Sequence, residues 1–176
     1  RRELFIHFSF WFSFFVLLSL VKHFLSISYW PFWVGGAIGV FLPDLDHLIY
    51  VYFIKPTDLS SQRVNYLVNK KQLWRSIELL YETRSERRGL IFHTIFFQII
   101  FLVLTFWIMS SSASLFGRGL VLSFALHISI DQLVDLVDMK HLGNWLKFFP
   151  VSFDLTKSKI FWSIGMILVL IMGFLT

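Results

Sequence analysis

Five stretches of this chain are each long and apolar enough to cross a bilayer, and this restricts it to a helical membrane protein. A crossing helix needs roughly 20 mostly apolar residues. The stretches are residues 4–26, 32–54, 90–110, 117–138 and 159–176. Inside hydrocarbon each segment must satisfy its own backbone polar groups, so runs of this kind become helices. The composition leads to the same class. Hydrophobic residues make up 56% and charged residues 15%, where a soluble domain is about a quarter charged. The expected architecture is a single all-α membrane domain over residues 1–176, a polytopic bundle of about five transmembrane helices.

Positive charge sets the expected topology. Of the 16 Lys and Arg, only Lys22 and Arg118 fall on one side of such a bundle. The others precede the first span, lie in the connections 55–89 and 139–158, or, for Lys159, stand at the start of the fifth span beside the second connection. The N-terminus and both long loops are therefore expected in the cytoplasm, in a prokaryotic-type cytoplasmic membrane, with the C-terminus outside. The chain begins at Arg1, so upstream residues are expected. The 4–26 run is too long for a signal peptide and lacks a small-x-small cleavage site, which predicts an uncleaved span. Pro43 sits inside the second span and should kink or break it. Within the long loop, Leu73, Trp74, Ile77, Leu80 and Tyr81 recur at helical spacing among Lys70, Lys71, Arg75 and Glu78. That pattern predicts a basic amphipathic helix, lying on the inner leaflet or packing on the protein's own cytoplasmic end.

Ionisable groups inside spans are costly and usually functional. Here they gather in one layer. His7, Asp44, Asp46, His47, His93, His127 and Asp131 come from four spans, each roughly 5–17 Å from the inner boundary at 1.5 Å per residue. His127 and Asp131 are i and i+4 and share a helix face, which Asp135 extends. Asp44 and His47 share a face if the helix is regular, a regularity that Pro43 puts in question. Imidazoles with carboxylates form a donor set for Zn²⁺, Mn²⁺ or Fe²⁺. A divalent cation also offsets the charge of buried carboxylates. One or two ions fit the number of ligands, with zinc preferred. There are no cysteines, which excludes thiolate sites and disulfides. Interhelical hydrogen bonding and a proton or ion path are the alternative readings. The outer half offers a path only Lys22 and His23.

At these residues the chain resembles the YdjM-like family of predicted membrane-bound metal-dependent hydrolases. That family carries an early His, a PDxDH segment, a basic segment leading to His-Ser, and HxxxD. The matching residues are His7, LPDLDH at 42–47, RRGLIFHT at 87–94 and HISID at 127–131. The resemblance implies a helical fold akin to the zinc phospholipase C and nuclease superfamily, whose zinc ions, held by His and Asp, hydrolyse phosphodiesters. The chain departs where Arg87 stands in place of a frequent His and Thr94 in place of Ser. The departure implies one ligand fewer, a single metal, or lost activity. Arg87 and Arg88 are read either as a phosphate clamp or as topology determinants.

The expected function is metal-dependent hydrolysis of a phosphoester in a lipid or amphiphile at the inner leaflet. His47, His93, His127 and Asp131 are the first-choice metal ligands, and His7 ligates or orients. Asp44 and Asp46 divide between ligand, general base and orienting group. The expected partner is membrane lipid, with an oligomer or larger membrane complex possible and no nucleic acid. The alternatives are a non-catalytic subunit of a membrane complex with a structural metal or polar site, and an ion or proton transporter.

Overall fold

The computed structural model describes residues 2–87, 89–146 and 153–175, without the side chains of Arg2, Glu3 and Ser85. It is all-helical, with no strand among the described residues. The helices are α1 (Arg2–Val21), α2 (Trp30–Gly39), α3 (Leu45–Ile49), α4 (Leu59–Asn69), α5 (Leu73–Glu82), α6 (Ile95–Ser111), α7 (Leu115–Asp138) and α8 (Leu155–Gly173).

Three of them are long and apolar enough to cross a membrane: α1 over Leu4–Val21, α7 and α8. They correspond to the first, fourth and fifth expected spans. The other two expected spans are altered. Residues 32–54 divide at a non-helical turn, 40–44, which contains Pro43. Proline has no N–H to donate and its ring crowds the preceding turn, so α2 stops and a new helix begins. That helix, α3, runs on into a π-helical turn, Tyr50–Ile54. The third expected span begins five residues late, because residues 90–94 are not helical. Thr94 caps α6 instead, its side chain accepting from the Phe97 N–H at 3.2 Å. This is the ordinary chemistry of a helix start.

Helix α7 is the centre of the bundle. Of its spanning window 72% is buried, against 33% for α1 and 22% for α8. Glycines bring α2 onto it. A Cβ at Gly35 would fall on the Phe116 carbonyl, one at Gly39 on the Leu120 carbonyl, and one at Gly119 on the Phe32 carbonyl. The two backbones therefore touch, as in other small-xxx-small crossings. Around this seam pack Phe15, Leu18, Phe32, Leu122 and Leu126. Polar bonds attach two further helices. Gln98 of α6 and Gln132 of α7 exchange amide hydrogen bonds of 3.1 and 2.6 Å. Trp162 Nε1 of α8 donates to the Ser129 carbonyl at 2.8 Å. The outward faces are apolar, with Phe5 and Phe12, Val103 and Trp107, and Ile160 and Ile167 all exposed.

Residues 55–89 contain α4 and α5. The predicted helical pattern is α5, and its Leu73, Trp74 and Ile77 are exposed while Ser76 is buried. The start of the apolar stripe is thus exposed, while Leu80 and Tyr81 at its end are half-buried, with Tyr81 bonded to Asp44.

Candidate metal centre

The buried polar cluster is built around Asp131. This residue lies on α7, 1% exposed, and four cationic or imidazole groups meet its two oxygens. On Oδ1 lie His7 Nε2 of α1 at 3.1 Å and Arg84 Nη1 at 2.7 Å. On Oδ2 lie His93 Nε2 at 2.8 Å and His127 Nε2 at 3.1 Å. One carboxylate therefore joins α1, α7 and the segment that follows α5.

His127 is held by a backbone group. Its Nδ1 is 2.6 Å from the Val40 carbonyl. A carbonyl only accepts, so Nδ1 carries the proton and Nε2 faces the cluster. The turn at 40–44 is what frees that carbonyl from helix bonding, so the break at Pro43 also orients the ring. His127 Nε2 makes no hydrogen bond and faces two carboxylates, Asp131 at 3.1 Å and Asp44 Oδ1 at 3.7 Å. In the neutral ring a lone pair opposes carboxylate lone pairs there, an arrangement that suits a cation between them. The ring of His7 stacks on that of His127, with centroids 4.1 Å apart and 26° between planes. His7, His127 and Asp131 offer ligand atoms within 4.8 Å of one another, all buried. Two imidazoles and one carboxylate match a zinc-type donor set.

Asp46 does different work. It is fully buried. Its Oδ1 accepts from the Ile91 N–H at 3.0 Å, and its Oδ2 from the N–H groups of Phe92 at 2.6 Å and His93 at 3.3 Å. His93 Nδ1 is also 3.1 Å from Oδ2. Asp46 thereby holds the non-helical 91–93 segment and orients the His93 ring toward Asp131. A buried carboxylate with this many donors is an anchor. His93 bridges two carboxylates and donates to both only when doubly protonated.

The remaining expected residues are placed as follows. His47 accepts from Arg87 Nε at its Nδ1, 3.1 Å away, so its neutral ring carries the proton on Nε2. Its ring is tilted against that of His93, with centroids 5.1 Å apart and 33° between planes, and it lies beside the His7, His127 and Asp131 trio instead of within it. Asp44 sits at the rim, its side chain 25% exposed, with Tyr81 donating to its Oδ2 at 3.1 Å. Arg87 is 2% exposed. Besides His47 it donates to Thr83 Oγ1 at 2.9 Å and to the Leu80 carbonyl. Its Nε, Nη1 and Nη2 donors thus each have a protein acceptor. Arg88 lies outside the described residues.

Three contributors gave no sequence signal. Arg84 is one of many basic residues in a loop whose charge already has a topological explanation. Tyr81 reads as part of an apolar stripe. Trp145, whose Nε1 donates to Asp135 Oδ2 at 2.6 Å, lies in a connection. Asp135, which the HxxxD face extends to, also meets Arg84 Nη2 at 3.4 Å. No family model, curated protein or solved structure matches this chain.

Proposed function

We propose that this chain is a membrane-embedded metal-dependent hydrolase of the YdjM-like kind, acting on a phosphoester of a lipid or amphiphile. The reading rests on one observation. His7, His127 and Asp131 converge in a buried layer with ligand atoms within 4.8 Å, and the bond from His127 Nδ1 to Val40 turns Nε2 inward. In this proposal these three residues hold a divalent ion, zinc in the first instance. The ion supplies Lewis-acid polarisation and a nucleophilic water near neutral pH. Asp44 is the general base, because its side chain is more exposed than those of Asp135 and Asp131 (25% against 14% and 2%) and because Tyr81 fixes its orientation. Asp46 and His93 orient Asp131, as carboxylate–histidine pairs behind metal ligands do. In the topology proposed with this function, α6 and the α2–α3 pair complete five passes. The N-terminus and α4–α5 are cytoplasmic, and α5 lies at the inner leaflet with the exposed start of its apolar stripe toward lipid.

The test is hydrolysis of phosphoester amphiphiles by the purified protein in vesicles. Turnover that stops on chelation and is lost in Asp44→Asn supports the reading. Turnover that persists in Asp44→Asn removes the assigned base.

A second reading has its own observation. Arg84 Nη1 at 2.7 Å from Asp131 gives the carboxylate a cation from the chain itself. The cluster is then a charge-compensated polar core in a non-catalytic membrane subunit, and the protein binds no metal.

A further inference from the structure

An open cavity of about 280 Å³ adjoins the cluster. Phe41, Leu45 and Leu48 form one wall, and Trp74, Ile77 and Leu80 of α5 form the other. The walls are hydrocarbon and aromatic, and several of these residues are substantially exposed, Trp74 at 63% and Phe41 at 55%. Polar groups occur together on Asp44, His47 and Tyr81. Asp44 is the link to the cluster, with Oδ1 3.7 Å from His127 Nε2. An apolar cleft that leads to a few convergent polar groups is the form of a ligand site. Its volume is at the low end for such sites, enough for a chain and too small for a folded partner.

We infer that this groove seats one acyl chain of a membrane phospholipid, with the phosphate at the Asp44 end beside His7, His127 and Asp131. Charge decides for lipid over a protein segment. Lys70, Lys71 and Arg75 are exposed at the start of α5, next to the outward-facing Leu73 and Trp74. Basic side chains beside exposed apolar ones dock a helix on an anionic bilayer surface. A groove whose wall is that helix then opens to lipid chains. The position of the phosphate rests on the hydrolase reading above, while the seating of the chain does not.

The experiment is native mass spectrometry of the full chain, delipidated and titrated with phosphatidylglycerol of stepped chain length, with metal content measured on the same samples. One bound lipid is expected, and retention should fall as methylenes are removed within the groove, by less than the roughly fourfold each that transfer to water would give, because the displaced chain enters detergent. Leu45→Trp fills the groove, and Trp74→Ala removes an exposed wall residue without touching the core. Each should lower retention about tenfold or more, while Trp107→Ala, on the exposed face of α6 away from the groove, keeps it. Equal retention in both groove variants, no dependence on chain length, or a lipid-free dimer would overturn the inference. Retention as expected with no metal in any sample would uphold the groove and refute the hydrolase reading.

Discussion

Arg84 Nη1 lies 2.7 Å from Asp131 Oδ1, the same oxygen that His7 Nε2 approaches to 3.1 Å. The cluster thus contains a cation that competes with a metal for its central carboxylate. Removing one partner of a buried pair usually costs about 3–5 kcal/mol, because the other charge is left uncompensated. Arg84→Met should therefore lower the thermal stability of chelator-treated protein strongly. Under the metal reading, added zinc restores most of that loss, because the ion takes over compensation of Asp131. Melting curves with and without zinc check this, and failure of zinc to rescue favours the charge-compensated core.

Asp46 and Asp44 should separate cleanly. Asp46→Ala leaves the N–H groups of Ile91, Phe92 and His93 without their acceptor. A cost on the order of 3 kcal/mol is expected, seen as a lower melting temperature and loss of folded protein. Asp44→Asn keeps the hydrogen bond from Tyr81 and the rim geometry. It should melt like the wild type and retain metal, while phosphoester turnover falls by about a hundredfold or more, the usual contribution of a general base.

The contact between α2 and α7 gives a paired test. Gly119→Ala places a Cβ on the Phe32 carbonyl, backbone that has little room to retreat. Separation of the two helices and a large stability loss should follow. Two residues earlier, a Cβ at Gly117 meets only ordinary van der Waals contact with Ser114. Gly117→Ala should be neutral or stabilise by up to about 1 kcal/mol through helix propensity. Equal effects of the two substitutions in thermal unfolding would contradict the packing described.

Gln98 and Gln132 exchange two amide bonds in an otherwise apolar interface. Either single change to Leu leaves the partner amide unsatisfied, whereas the double change removes both polar groups. The double variant should be more stable than at least one single variant. The coupling should be about 0.6–2 kcal/mol, the range of interhelical bonds in membranes. A double-mutant cycle in one detergent measures it.

The helical class and most of the cluster were legible in the sequence, for reasons that differ by residue. Length and apolarity alone locate α1, α7 and α8. The i, i+4 spacing puts His127 and Asp131 on one face, and the depth of His7 puts it at the same level. Pro43 signals the broken helix. What spacing does not carry is the division of labour. Asp44 and Asp46 are two residues apart, yet one reaches the rim and the other anchors residues 91–93. That difference depends on the irregular turn after α2 and on the non-helical start of α6, neither of which leaves a periodic trace. His47 belongs to the strongest motif, but a hydrogen bond from Arg87, 40 residues away, sets its tautomer. Arg84 was hidden because a loop charge that orients a membrane protein has the same sequence appearance as one that enters a buried ion pair.

The central claim is that His7, His127 and Asp131 hold a divalent ion. Elemental mass spectrometry of protein purified in detergent without chelators tests it most directly, with wild type beside a variant carrying His127→Ala and Asp131→Ala. The account predicts about one equivalent of zinc, manganese or iron in the wild type and none in the variant. No metal in either, after attempted reconstitution, would contradict it and leave the Arg84–Asp131 pair as the reason the cluster exists.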